Sequence, residues 1–299
     1  MSIPLYGRIA DIPFWTDVAY HGPLRLQENA RSGRVRVLAR FKRGQRGAYT
    51  TVLHSGGDEV YRQFEISKRG LGDPPGGKAV VFVHGLGRGP GIWTLFKQAA
   101  RERGYVPYEF DYASNKLTIA EIADRLGRAV GTLGAHERID FVAHSMGGIV
   151  VRAWSEKNDD PRVRRTVMLG TPNKGSQVAH ALQDWGPFEL TGPAGRELAD
   201  LEGGPAVTLP PPDGEFAIVA GSLPAFGGMN PYAPGDDDGV VAVSSTPLAG
   251  ATDYLVVRDV LHHRLVDDGR VIDATFRFLA DGRLRAEGEP TPIPGDEGS

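Results

Sequence analysis

Four short segments hold the residue types that could do chemistry. In Ala143-His144-Ser145-Met146-Gly147-Gly148 a serine lies between an apolar run, residues 138–143, and a helical pattern. A tight strand-to-helix turn presents such a hydroxyl as a nucleophile, and the positive end of the following helix favours the negative charge that develops there. Small residues are needed two before and two after the serine. Gly147 meets that need, and Ala143 is the mildest departure from the usual glycine.

Val83-His84-Gly85-Leu86-Gly87-Arg88 follows a second apolar run. Acyl transfer needs donors aimed at the oxyanion of its tetrahedral intermediate, and the backbone N–H groups of Met146 and Leu86 are the expected pair. His84 is expected to fix this loop rather than to move protons. His84, Gly85, Trp93, Trp185 and Phe188 are the residues expected to line a substrate pocket. Asp236-Asp237-Asp238-Gly239-Val240-Val241 supplies an acid. Asp238, directly before the turn glycine, is favoured over Asp237. Asp236 and Asp237 read as solvated loop residues or weak metal ligands, and Asp253 is an alternative acid. Leu261-His262-His263-Arg264-Leu265 supplies a base, and either histidine could serve. The chain order serine, acid, histidine makes His21, His54, His136 and His180 surface or packing residues.

These segments need elements to hold them. Residues 78–83 form a nearly all-apolar run, as in a strand buried on both faces. Strands at 105–110, 138–143, 163–169, 215–220 and 253–258 and helices at 92–103, 117–133, 146–157 and 268–280 continue the pattern. The fold class expected is α/β, a mainly parallel twisted sheet flanked by helices. Between 172 and 214 the alternation lapses into a Gly- and Pro-rich stretch containing Trp185, Phe188 and Leu190, read as a cap or lid. Residues 1–33 read as irregular, and 34–41, 48–54 and 58–66 as strands, with a polar turn at 42–47 and a linker at 70–77. The organisation expected is an N-terminal β extension over 1–77, a main domain over 78–285 and a disordered tail over 286–299.

Composition narrows the classes. The chain has 299 residues, 40% of them hydrophobic and 24% charged, with a formal net charge of −3. This is the balance of a globular protein and does not suit nucleic-acid binding. The basic stretch from Arg31 to Arg46 is interleaved with apolar residues and reads as the solvated face of strands, the alternative being a transient contact with an anionic membrane or lipid surface. With no cysteine, disulfide and thiolate chemistry are excluded. No apolar run has the length of a signal peptide or membrane span, so the expected location is cytoplasmic, secretion being compatible with the same composition. Oligomeric state leaves no mark on the sequence.

Taken together and in order over residues 78–280, these segments resemble the α/β-hydrolase superfamily and, within it, bacterial lipases and related esterases. The elbow at Ser145 resembles the variant of Bacillus-type lipases in which alanine replaces the first glycine. Leu169-Gly170-Thr171-Pro172-Asn173-Lys174-Gly175-Ser176, Asp238-Gly239-x-Val241 and His262-x-x-Leu265 resemble later segments of the same lipases. The resemblance implies a triad of Ser145, Asp238 and His262, and it selects His262 over His263. It implies hydrolysis of a small-molecule or lipid ester, with no cofactor; some lipases of this kind bind calcium or zinc, but no matching ligand cluster stands in this sequence, so no metal is carried over. A thioesterase, amidase, acyltransferase or lipid deacylase would use the same triad, and a non-catalytic binding protein would keep only the fold.

Overall fold

A computed structural model describes residues 15–21, 24–40, 49–55 and 76–295. The strand expected at 58–66, the turn at 42–47 and nearly all of the linker at 70–77 lie outside the described residues.

Six strands form one parallel sheet: β5 (Gly77–Val83), β6 (Val106–Phe110), β7 (His136–His144), β8 (Val163–Leu169), β9 (Glu215–Ser222) and β10 (Asp253–Arg258). Their order across the sheet is β10-β9-β8-β7-β5-β6. All of Ala79 to Val83 is buried, because both faces of the sheet are covered. Val81 and Val83 pack with helices α2 (Ile119–Gly131) and α3 (Met146–Ser155). Val80 and Phe82 pack on the opposite face with α1 (Thr94–Glu102) and α7 (Gly269–Asp281). Sequence signals set the helix ends: Thr118 and Glu121 form a reciprocal capping box on α2, and Asp268 caps α7. None of the described helices is long and apolar enough to cross a membrane.

Ahead of this sheet lie four antiparallel strands, β1 (Trp15–His21), β2 (Leu24–Asn29), β3 (Val35–Arg40) and β4 (Tyr49–Ser55), paired in chain order. The pair β3 and β4 matches the expected strands. The pair β1 and β2 falls where the sequence reads as irregular. Their alternation is hidden because both faces of the ribbon are buried: Thr16, Asp17, Arg25 and Gln27 lie inside along with Val18, Leu24 and Leu26. Buried polar residues on a strand erase the period-2 contrast that sequence reading relies on.

The 172–214 segment is largely helical: α4 (Gln177–Leu182), a 3₁₀ turn at Gly186–Thr191, α5 (Gly192–Ala199) and α6 (Pro205–Thr208). Arg152, buried in α3, ties down its far end. The guanidinium donates to the carbonyls of Ala206 (2.9 Å), Leu209 and Pro210 (3.0 Å) and to Asn173 Oδ1 (3.2 Å). Burial lowers its pKa to about 10, which still leaves it charged at neutral pH.

Residues 286–295, expected to be disordered, run back along the sheet edge. Ile293 exchanges backbone hydrogen bonds with Gly250 and Ala251. Thr291 N and Leu284 N donate to the buried carboxylate of Asp253, at 2.8 and 2.7 Å, and Arg285 pairs with it at 2.6 Å. That carboxylate needs donors to be buried at all, and Leu284 and Arg285 just ahead of the tail, with Thr291 inside it, supply them.

Replacing Arg152 by methionine keeps the bulk but strands the acceptors it serves. The expected cost is about 3 kcal/mol, a fall in Tm of roughly 6–12 °C, with protease cleavage appearing first between residues 200 and 214. A variant that melts with the wild type and resists cleavage equally would show that the guanidinium does not anchor this segment.

Candidate active site

Ser145 stands between β7 and α3 with φ 56° and ψ −129°. Such a conformation costs a non-glycine residue about 1–3 kcal/mol and survives only where its surroundings enforce it. Here Ser145 N donates to Leu169 O (2.8 Å), while its carbonyl accepts from Gly148 N (3.0 Å) and the Thr171 hydroxyl (2.9 Å). A Cβ at Gly147 would lie 2.4 Å from the carbonyl oxygen of Val83, so only glycine lets the new helix pass the neighbouring strand so closely.

Asp238 and His262 meet at the same edge. Asp238 follows β9 and His262 follows β10, so both sit beyond carboxyl ends of parallel strands. His262 Nδ1 donates to Asp238 Oδ2 at 2.8 Å, and His262 N donates to Asp238 O at 2.8 Å. The second carboxylate oxygen accepts from Val240 N (3.1 Å) and Val241 N (2.7 Å). The side chain and the ring are both buried. Protonation at Nδ1 leaves Nε2 as the basic nitrogen. His263, the other histidine of the pair, is exposed.

Ser145 joins this pair through its chain neighbour. The His144 ring lies 4.6 Å from the His262 ring, and its Nε2 donates to His262 O at 3.0 Å. Among the described residues no direct hydrogen bond links the Ser145 hydroxyl to His262. Burial first, and the nearness of His262 second, hold His144 well below the ordinary imidazole range. It is therefore a neutral brace, and its buried Nδ1 has no hydrogen-bond partner.

The loop after β5 closes the site from the other side. A Cβ on Gly85 would fall 2.8 Å from Ser145 Cβ, which places this backbone against the serine. His84 is fully buried, stacks on Tyr112 at 4.0 Å with 7° between the planes, and donates from Nδ1 to Gly85 O at 2.9 Å. Leu86 follows directly, and Met146 is the first residue of α3. Neither N–H donates a hydrogen bond among the described residues.

The remaining expected residues separate. Trp93 is fully buried between Phe82 and Phe96, so it is core and has no surface to offer a ligand. Trp185 projects into solvent from the 172–214 segment, while Phe188 of the same segment is buried. Asp253 sits at the opposite end of its strand, committed to the tail. Of the two acids expected to be solvated, Asp236 stays half-buried and only Asp237 leaves solvent altogether. Asp237 is fully buried and accepts from the N–H groups of Met229, Asn230 and Gly239, while Asp236 accepts from the Ser222 hydroxyl and Leu223 N. Together they fold the 223–242 loop that presents Asp238. His136 packs against Tyr108 OH at 2.8 Å, and His180 bonds Ala199 O at 2.9 Å. Tyr112 supports the site without any signal in its local sequence, since its stacking partner His84 is distant in the chain, whereas Thr171 lies in the 169–176 segment already marked by the resemblance.

The neutral state of His144 sets a pH dependence. Unfolded, it binds a proton below its ordinary 6.5; folded, it does not. The unfolded chain then holds more protons, so stability present above that pH is lost as pH falls, by up to about 1.4 kcal/mol per pH unit. In urea melts taken from about pH 6.5 down to pH 5, His144→Gln should lose one proton's share of this slope while His136, also lowered by burial, keeps its own. An unchanged slope would mean that His144 is protonated in the native protein.

Comparison with known proteins agrees with this architecture. A family model described as the alpha/beta hydrolase family matches residues 80–289. Probable esterases of Oryza sativa, one from subspecies indica and one from japonica, are 31% identical over 122 residues, which is 37% of this chain. The match spans less than half, 46%, of the length of those relatives. The mature form of a Bacillus licheniformis lipase superposes with a TM-score of 0.53 at 22% identity, covering 69% of this chain and 91% of that one. Its propeptide form gives 0.52, again at 22% identity, over 74% of this chain and 52% of that one. These structures share the fold, and the family model covers most of the chain: this protein belongs to the alpha/beta hydrolase family.

Proposed function

We propose that the protein is a serine hydrolase that cleaves carboxylic esters through an acyl-enzyme on Ser145. The observation that carries this reading is the buried 2.8 Å hydrogen bond from His262 Nδ1 to Asp238 Oδ2 at the strand end beside the strained serine turn. It fixes the ring and supports the imidazolium that forms when Nε2 takes the serine proton. Apo sites commonly hold such pairs loosely until substrate tightens them.

The steps follow from these roles. Ser145 Oγ attacks the ester carbonyl as His262 removes its proton, and the oxyanion faces the N–H groups of Met146 and Leu86. His262 returns the proton to the departing alcohol. Water, deprotonated by the same nitrogen, then attacks the acyl-enzyme and releases the acid. The 172–214 segment covers the acyl side, with Trp185 at its surface. The names of the rice relatives, probable esterases, favour the ester over the thioester and amide substrates that the same residues could serve.

Hydrolysis of p-nitrophenyl esters of graded chain length tests this. Ser145→Ala should lower kcat roughly 10,000-fold or more, and Asp238→Asn, which misdirects the ring tautomer, about 10,000-fold. A fluorophosphonate probe should label the wild type at Ser145 and leave Ser145→Ala unlabelled. Ester hydrolysis that survives Ser145→Ala undiminished would remove the proposal.

A further inference from the structure

The N-terminal strands β1 and β2 are packed where they bear on the loop after β5. Strand β6 is the edge of the parallel sheet, and among the described residues no strand of that sheet lies beyond it. Strand β1 meets the chain just past its end. Asp17 N donates to Asp111 O at 2.8 Å, Asp111 N donates back to Asp17 Oδ2 at 2.8 Å, and Ala113 N donates to Thr16 Oγ1 at 3.1 Å. Thr16 and Asp17 are both fully buried. A bulge between Asp17 and Ala19 breaks the alternation, so that Tyr20 OH reaches Asp17 Oδ2 at 3.2 Å and Glu109 O at 2.9 Å. Arg25 and Gln27 of β2 hold the Asp17 carboxylate at 3.0 and 2.8 Å, and Arg25 also reaches Glu109, which pairs with Lys97 of α1.

The strap so clamped, residues 111–114, is what touches the loop. Tyr112 covers the His84 ring face to face, its N–H points at His84 Nε2 (3.4 Å) and its hydroxyl donates to His84 O. Ser114 Oγ accepts from Gly87 N at 2.9 Å. His84 in turn pins Gly85 O. In a trans peptide the C=O and the following N–H point in opposite directions. Fixing the carbonyl of Gly85 therefore fixes the direction of the Leu86 N–H.

We infer that the N-terminal sheet is a positioning element of the active site, in which Thr16 and Asp17, through the 111–114 strap and His84, aim the Leu86 N–H at the oxyanion. The inference rests on the proposal that Ser145 carries an acyl-enzyme. It gives β1 and β2 a role in the chemical step rather than in substrate binding, since neither strand supplies a substrate contact in this scheme. Misdirected rather than removed, the donor should cost less than the 100- to 1,000-fold, roughly, that follows its complete loss.

Thr16→Val keeps the volume and removes the acceptor for Ala113 N; Thr16→Ser keeps the acceptor. With p-nitrophenyl butyrate, Thr16→Val should lower kcat about 10-fold and leave KM within about twofold, while Thr16→Ser should restore kcat. Thr16→Ala, which removes the same acceptor, decides the matter if Thr16→Val does not fold, and Tyr112→Phe, which deletes only the hydroxyl bond to His84 O, should show the same split and tests the strap's hold on His84. Folded Thr16→Val or Tyr112→Phe with wild-type kcat, a loss confined to KM, or a Thr16→Ser as impaired as Thr16→Val would overturn the inference. Ser145→Ala is run alongside. If it matches the wild type, the acyl-enzyme reading itself has failed; if it is inactive, the Thr16 variants test the N-terminal sheet and Tyr112→Phe tests the strap.

Discussion

At Ser145 the chain holds a left-handed, extended conformation that a side chain other than glycine adopts only under constraint. Within the turn only the Gly148 N–H, donating to the Ser145 carbonyl, works against this cost. The enforcing contacts come from β8 through Leu169, from the loop after it through Thr171, and from β5, whose last carbonyls press on Gly147. The turn can hold only if β5, β7 and β8 stay in register, which their fully buried apolar side chains ensure. A stiff sheet is thus the condition for a serine held in one place, and it accounts for covering both faces so thoroughly.

The segments that extend beyond that sheet are secured by a different kind of contact. Arg152 holds the end of the 172–214 segment, Asp253 holds the tail, Asp237 folds the loop before Asp238, and Asp17 holds the strap beside the loop after β5. Each is a buried charged side chain whose partners are mostly backbone groups or buried polar neighbours. Buried charge is costly when unpaired, so these contacts are close to all-or-none. They give loops with little apolar area of their own a single arrangement, and they make the surroundings of the site depend on a few residues far from it in the chain.

The two histidines at the centre divide the work by environment. His262 faces a carboxylate. His144 faces the carbonyl of His262 on one nitrogen and no partner on the other, within a pocket that disfavours charge. Adjacent imidazoles would repel if both were protonated, and burial keeps the bracing one neutral.

Much of this was legible in the order and type of residues. Apolar runs of strand length alternating with 3.6-period segments determined a parallel α/β sheet, because strands buried on both faces and amphipathic helices leave distinct patterns. Small residues around Ser145, and the order serine, acid, histidine, marked the candidate site. Tertiary structure alone decided what depends on distant partners. The acids Asp236 and Asp237 looked like a solvated charge run, and the coil folding back over them made them hydrogen-bonded acceptors. Strands β1 and β2 carry buried polar residues that hide their period, the tail after residue 285 has a disordered composition yet Thr291 and Ile293 bond Asp253, Gly250 and Ala251, and Trp93 looked available for ligand until Phe82 and Phe96 enclosed it. Local sequence records the propensity of a segment and the faces it offers. Whether a polar side chain ends in water or on another strand's backbone is settled only when the chain has closed on itself.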